Sequence, residues 1–250
     1  MEKEESKQFR FGLIGKDISY SFSKGYFADK FKALGLKNHS YENFDLPQIE
    51  AFQKLLEQDN VKGFNVTIPY KEAILPYLTD IDTTANTIGA VNTIRVLDNG
   101  LKGFNTDAYG FQKSLEPHLQ KNQKHALVMG TGGASKAILY VLKQLNIEAT
   151  SVSRTPNKHQ ISYEELNKSI LEKNLLIINC TPLGTHPNIE QKPDLPYQHI
   201  TPNHLLFDLI YNPSKTAFLR KGEQKGAIIC NGHRMLELQA EKSWEIWNMD

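Results

Sequence analysis

The run Ala126-Leu127-Val128-Met129-Gly130-Thr131-Gly132-Gly133-Ala134 carries the decision about fold. Its apolar half is short enough for a buried strand, and 134–145 continues at helical spacing, so the glycines form a strand-to-helix turn. Glycine there lets the backbone bend sharply and approach a pyrophosphate, whose charge then faces the amino end of the helix. The third glycine of the usual pattern is replaced by Ser135, and a tight turn can need glycine for steric reasons alone. The following strand therefore decides more. In NAD binders it ends in an acidic residue about 20 positions after the glycines. Here the strand over 149–153 ends in Ser153-Arg154-Thr155, with Lys158 beyond. A guanidinium fork suits a 2′-phosphate, so Gly130, Thr131, Gly132, Gly133, Ala134, Ser153, Arg154, Thr155 and Lys158 are read as holding NADP rather than NAD. The bland alternative for Arg154 and Lys158 is a solvated surface.

Working outward from this run, 175–179, 205–210 and 227–230 read as further strands with the βαβ rhythm of a doubly wound sheet. Upstream, 9–14, 41–44 and 63–68 read as strands, the last stopped by Pro69, with helices over 22–34 and 47–57. Residues 88–96 and 101–105 flank Asp98-Asn99-Gly100, a type I′ hairpin signal. Gln120-Lys121-Asn122-Gln123-Lys124 is polar throughout, the composition of a domain junction. The final stretch, 234–247, places Met235, Leu236, Leu238, Ala240, Trp244 and Trp247 near helical spacing with no strand after it, and is expected to pack back on the first half. The fold class is α/β, with two α/β domains.

The 250 residues include 29 Lys plus Arg against 28 Asp plus Glu, a formal charge of +1. Such a balance supplies no field for gathering polyanions, which speaks against nucleic acid or an anionic membrane as partner. Cys180 and Cys230 form no CxxC pair, and no His/Cys spacing suits zinc, so neither a disulfide framework nor a metal is expected. Residues 1–7 are rich in charge and lack the apolar core of a secretory signal. No apolar run approaches the roughly 20 residues of a spanning helix. The expectation is a soluble cytoplasmic protein, with monomer and homodimer both open.

Small polar residues cluster where such folds bind ligands. Asn65 and Thr67 alternate with apolar neighbours, which would put both on one strand face at its carboxyl end, with Lys71 just beyond. The competing reading is a wet edge strand and a surface lysine. Ser21 and Ser23 open a helix, where hydroxyls and backbone N–H groups receive a carboxylate or simply cap the helix. Asn92-Thr93 and Asn105-Thr106-Asp107 add hydrogen-bonding groups at further strand ends. Their convergence points to a small hydroxylated anion.

In order, the chain contains Ser21-Phe22-Ser23, Asn65-Val66-Thr67-Ile68-Pro69-Tyr70-Lys71, Gly89-Ala90-Val91-Asn92-Thr93 and Gly103-Phe104-Asn105-Thr106-Asp107. Its second half adds the glycine turn, Ser153-Arg154-Thr155, Asn179-Cys180-Thr181-Pro182-Leu183-Gly184, Asp208-Leu209-Ile210-Tyr211-Asn212-Pro213 and Met235-Leu236-Glu237-Leu238-Gln239-Ala240. With these motifs the chain resembles the shikimate dehydrogenase family over nearly its whole length. The resemblance implies a substrate-binding domain over 1–106 and 233–250, and a Rossmann-type NADP-binding domain over 107–232. It implies reversible NADPH-dependent reduction of 3-dehydroshikimate to shikimate in chorismate and aromatic amino acid biosynthesis. Position by position, Lys71 and Asp107 match the catalytic acid/base pair. Ser21, Ser23, Asn65, Thr67, Asn92, Asp107, Tyr211 and Gln239 match substrate contacts; Thr181 and Gly232 join the glycine turn and Arg154 around the cofactor. Two positions depart from the family's pattern: Lys24 stands where proline is common, and His233-Arg234 where small and apolar residues are. The rival readings are an enzyme that also accepts quinate, or one using NAD, and a non-catalytic metabolite sensor. The presence of both Lys71 and Asp107 disfavours the sensor, because binding alone requires no proton donor.

Overall fold

The computed structural model describes residues 8–19, 21–57 and 60–249. Residues 1–7, read above for a leader, lie outside them. The chain forms two compact units: Met1–Thr106 with Ala240–Asp250, and Asp107–Gln239.

The first unit runs β1 (Phe9–Gly15), α1 (Phe22–Ala33), β2 (His39–Asp45), α2 (Phe52–Leu56), β3 (Val61–Val66), α3 (Tyr70–Ala73), β4 (Asp80–Ile81), α4 (Thr83–Ile88), β5 (Thr93–Leu97) and β6 (Gly100–Phe104). Its sheet is ordered β2-β1-β3-β5-β6-β4, with β1 parallel to β2 and β3, and β5 antiparallel to β3 and β6. Successive side chains of a strand point to opposite faces, and β1 accordingly feeds two cores. Ile14 packs with Phe52, Phe64, Val66 and Ile74, while Phe11 and Leu13 pack with Phe27, Phe31, Tyr41 and Trp247. Trp247 ends α9 (His233–Trp247), whose residues from Ala240 onward belong to this unit. Its indole N–H donates to the Ile94 carbonyl at 3.0 Å, and its ring lies 4.8 Å from Phe11 and 5.3 Å from Phe27 between centroids.

The second unit runs α5 (Thr106–Leu115), β7 (His125–Met129), α6 (Gly133–Gln144), β8 (Glu148–Val152), β9 (Gln160–Ile161), α7 (Lys168–Lys173), β10 (Leu176–Asn179), β11 (Leu205–Asp208), α8 (Ala217–Glu223) and β12 (Ile228–Cys230). The sheet order is β12-β11-β10-β7-β8-β9, every pairing parallel. Counted from β7, this is the doubly wound order of dinucleotide-binding sheets, with its reversal between β7 and β10. Burial on both faces explains the continuous apolar runs: Leu127, Val128, Met129, Ile177 and Ile178 have no exposed surface.

Four expectations need correction. Ile88 closes a helix instead of opening a strand. The Asp82 carboxylate accepts from the Thr84 and Ala85 N–H groups and Gly89 ends the turn, overriding the β-branched composition of α4. The hairpin is not type I′. Leu97 pairs with Gly100, but neither Asp98 nor Asn99 has the positive φ that turn demands; the unusual backbone falls on Gly100 at φ +145°, packed against Thr79. β3 stops at Val66, short of the expected 63–68: the Thr67 N–H still bonds the Ile14 carbonyl at 2.8 Å, but its own carbonyl accepts from the Tyr70 N–H at 2.8 Å and so turns the chain into α3. Finally, 120–124 is no junction. Gln123 is buried in the second unit, donating to the Asn203 carbonyl at 3.2 Å and accepting from the Gln120 N–H at 3.0 Å.

Replacing Trp247 by Ala removes a buried aromatic and a buried hydrogen bond, and should destabilise the protein by about 3–5 kcal/mol. Thermal unfolding checks this, with a fall in Tm of roughly 10 °C expected at this chain length.

Candidate active site

In the first unit the candidates gather at one end of the sheet, where strands and helix termini leave polar groups to satisfy. Ser21 is the N-cap of α1, its hydroxyl accepting from the Ser23 N–H at 3.2 Å. Ser23 is buried and lies in hydrogen-bond contact with the Tyr41 phenol, whose own pKa is pushed up by burial. Asn92 precedes β5; its carbonyl accepts from the Val66 N–H at 2.8 Å and its N–H donates to the Phe104 carbonyl at 3.0 Å. Lys71, half-buried in the short α3, is tied to the same region because its carbonyl accepts from the Val91 N–H at 2.8 Å. Thus Ser21, Ser23, Thr67, Lys71 and Asn92 all sit on segments joined at this end of the sheet.

Asn65, at the end of β3, is buried. Its Oδ1 accepts from the Tyr41 hydroxyl at 2.8 Å, and its Nδ2 donates to Ser243 Oγ at 2.9 Å, with Thr93 Oγ1 at 3.1 Å and the Asn92 carbonyl at 3.3 Å also in reach. Both ends of the amide are engaged inside the unit. Lys24 is exposed, and its charge helps hold the Glu42 carboxyl below its usual range, after the larger effect of the Arg10 ion pair.

In the second unit Asp107 is buried in the first turn of α5. The start of α9 packs on that helix, since a Cβ at Gly110 would press on the Met235 carbonyl and the Gln239 Cβ. Gln239 therefore lies against the helix that carries Asp107. Arg234 and His233 are exposed and pair with Glu237 at 3.0 and 3.4 Å within the same helix. Tyr211 follows β11 in the loop that also contains Leu209, and the Leu209 carbonyl would collide with any Cβ at Gly232.

The glycine turn leaves β7 beside the strand-order reversal. Gly130 has φ +95° and donates its N–H to the Val152 carbonyl at 3.1 Å. A side chain there would strain the backbone and crowd Thr181, whereas the space around the Cα of Gly132, the N-cap of α6, is open. Thr131 and Gly132 are exposed, and Gly133 and Ala134 begin the helix. At the end of β8, Ser153 Oγ accepts from the Thr155 N–H at 3.2 Å, which turns the chain so that Arg154, Thr155 and Lys158 are exposed. An open helix amino end beside a cationic strand end fits a phosphorylated dinucleotide. Among the described residues no group of three or more His, Cys, Asp or Glu is placed to hold a metal ion, and no helix is long and apolar enough to cross a membrane.

A shikimate dehydrogenase (NADP(+)) of Clostridium botulinum is 40% identical over 247 residues, spanning 94% of this chain and 95% of its own. The chain belongs to the shikimate dehydrogenase family. The family model described as the shikimate dehydrogenase substrate binding domain matches residues 13–94. Among solved structures, shikimate dehydrogenase 1 of Peptoclostridium difficile is 39% identical with TM-score 0.84, covering 97% of this chain and 94% of its own. Shikimate 5-dehydrogenase of Thermus thermophilus, solved with NADP(H) and shikimate, is 31% identical with TM-score 0.86, covering 96% and 94%. The two α/β units seen here are thus the architecture of this family.

Sequence reasoning passed over one centre of this shikimate dehydrogenase family member. Asp208, at the carboxyl end of β11, has no exposed surface. Its Oδ2 accepts from Thr216 Oγ1 at 2.5 Å, and its Oδ1 from Asn179 Nδ2 at 3.0 Å and the Ile210 N–H at 3.1 Å. Asn179 in turn accepts from the Thr181 N–H at 3.0 Å and hydroxyl at 2.6 Å. One carboxylate thereby fixes the loops that carry Thr181 and Tyr211. The acidic residue at a strand end was the available signal. Burial pushes the Asp208 pKa up to about 6, against these hydrogen bonds, which pull it down. Burial and the Asp208 charge also push up the Cys180 thiol.

Because the folded pKa of Asp208 exceeds its ordinary value of 3.8, the stability it contributes is full below pH 4 and lost as pH rises through about 6. The loss amounts to about 3 kcal/mol. Asp208→Asn has no such titration. Urea unfolding at pH 4 and pH 7 should therefore show the wild type losing about 3 kcal/mol relative to the variant over that interval.

Proposed function

We infer that the chain catalyses reversible NADPH-dependent reduction of 3-dehydroshikimate to shikimate, a step of chorismate and aromatic amino acid biosynthesis. The observation that carries this reading is the near full-length match to NADP-dependent shikimate dehydrogenases. The glycine turn and the Arg154 end of β8 supply the cofactor chemistry that such an enzyme needs. Residues 1–106 and 233–250 are assigned to substrate and 107–232 to NADP. A cytoplasmic enzyme, monomeric or homodimeric, accords with a small diffusible substrate.

Bound NADPH supplies a hydride to the substrate ketone. Gly130, Thr131, Gly132, Gly133 and Ala134 would receive its pyrophosphate, and Ser153, Arg154, Thr155 and Lys158 its 2′-phosphate, with Thr181 and Gly232 nearer the nicotinamide. Lys71 donates the proton that the developing alkoxide oxygen needs, and Asp107 hydrogen-bonds the reacting group. Ser21 and Ser23 offer hydroxyls to the substrate carboxylate. Thr67, Asn92, Tyr211 and Gln239 hold its hydroxyl groups, and Asn65 supports them from behind.

Lys71→Ala should lower kcat by about 10²- to 10⁴-fold while the protein still binds shikimate. Stopped-flow absorbance of NADPH and shikimate titration calorimetry read the two quantities, and near-normal turnover would exclude Lys71 as the proton donor. Arg154→Ser should raise KM for NADP by about tenfold or more and leave KM for NAD little changed, because only NADP loses a charge-assisted contact. The same assays run with quinate and with NAD test the two enzymatic rivals, and any turnover rules out a pure sensor.

A further inference from the structure

Asn179, the last residue of β10, has no exposed surface, although an apolar side chain there would simply continue the run before it. A buried amide costs stability unless both of its ends are bonded, and the partners of this one decide which end is which. Oδ1 faces the Thr181 backbone N–H at 3.0 Å, a group that only donates. Nδ2 faces the Asp208 carboxylate at 3.0 Å and the Leu183 carbonyl at 3.5 Å, groups that accept. A flipped amide would set donor against donor and acceptor against acceptor. This orientation decides the state of the next hydroxyl. Thr181 Oγ1 lies 2.6 Å from Asn179 Oδ1, an oxygen without a proton, so the Thr181 hydroxyl donates its single proton there. One of its lone pairs meets the Leu183 N–H at 3.3 Å. What half-buried Thr181 has left for a ligand is the other lone pair: it can accept and cannot donate. Its place follows from the sheet order β10-β7-β8, which sets the glycine turn after β7 between Thr181 on one side and Arg154 on the other. The Cys180 N–H donates to the Met129 carbonyl at 2.8 Å, and a Cβ at Gly130 would stand 3.1 Å from Thr181 Cγ2, so Thr181 borders the turn itself.

We propose that Asn179 is a positioning residue for the cofactor: by engaging the proton of the Thr181 hydroxyl it turns that oxygen into an acceptor for a hydrogen-bond donor on the nicotinamide half, a ribose hydroxyl or the carboxamide N–H. This rests on the assignment of the glycine turn, Arg154 and Thr181 to NADP made above. A dinucleotide with its pyrophosphate at the turn and its 2′-phosphate at Arg154 carries its other half across the strand-order reversal toward β10, where Thr181 stands. Phosphate oxygens only accept, so a Thr181 hydroxyl held in this way gives them nothing and sorts the two ends of the ligand. Asp208 holds the Asn179 amide from the side away from Thr181, and thereby acts on the cofactor at two removes.

The test measures calorimetric Kd values on the full-length protein for NADP and for adenosine 2′,5′-bisphosphate, which lacks the nicotinamide half. Thr181→Val removes the accepting oxygen, keeps the shape and leaves Asn179 its bond to the Thr181 N–H. It should raise Kd for NADP about five- to tenfold, with Kd for the bisphosphate within about twofold of wild type; Thr181→Ser, which keeps the hydroxyl, should restore NADP binding. Asn179→Ala and the volume-keeping Asn179→Leu should raise the same ratio. Because Asn179 acts through that hydroxyl, Asn179→Ala combined with Thr181→Val should bind NADP no worse than Thr181→Val alone. The proposal is overturned if Thr181→Val or a folded Asn179 variant matches wild type, if both ligands weaken together, or if the double variant adds the two losses. The Thr181 pair stays decisive even where an Asn179 variant does not fold. With the acetylpyridine analogue of NADP, which has no carboxamide N–H, a Thr181→Val effect that vanishes assigns the donor to the carboxamide and one that persists assigns it to the ribose; either upholds the proposal. A wild type that binds NADP without turning over shikimate would end the catalytic reading and leave this comparison intact, whereas a wild type that does not bind NADP overturns both.

Discussion

Strands buried in a sheet end abruptly, and the polar groups at those ends still require partners. In this protein that constraint organises everything near the chemistry. Asp208 meets it in the second unit by gathering Thr216, Asn179 and the Ile210 N–H. Asn65, Asn92, Thr93, Thr106 and Ser243 meet it in the first. Both solutions gather side chains with several donors or acceptors around strand ends. A satisfied layer of this kind is stiff, since each member fixes the orientation of the next. The candidate binding groups then inherit positions they would not hold as isolated surface residues.

Much of the fold was legible because it rests on local pattern. The apolar runs of β7 and β10 are buried on both faces, and the amphipathic spacing of α6 and α9 matches the helices found. What escaped was decided at a distance. Ile88 was read as opening a strand over 88–96, but it closes a helix that starts at the Asp82 cap, six residues earlier. The Gly100 position of the hairpin turn is packed against Thr79, well outside the Asp98-Asn99-Gly100 signal. Gln123 looks like a linker residue until the Asn203 carbonyl, distant in sequence, is seen to take its amide.

The site shows the same division. Motif residues such as Ser21, Lys71, Asn92, Gly130 and Arg154 are recognisable because a short stretch carries both the residue and its local structure. Ser243 and Tyr41 carry no local mark of their part. Their importance lies in pairings across the first unit, Asn65 with Tyr41 and with Ser243, which only the folded chain brings together. Asn65 itself illustrates the limit. Its motif is visible in a short stretch, whereas the partners of its amide, Tyr41 and Ser243, lie far away in sequence.

The first unit is assembled from two stretches of chain separated by the whole of the second. During synthesis the second unit is complete once Gln239 has left the ribosome, whereas the first still lacks Trp247, which its aromatic core is built around. The part made first is therefore the part finished last. Until α9 arrives, Phe11, Phe27 and Tyr41 lack their largest apolar neighbour, and the nascent first unit is the stretch with most reason to need a chaperone or to associate wrongly.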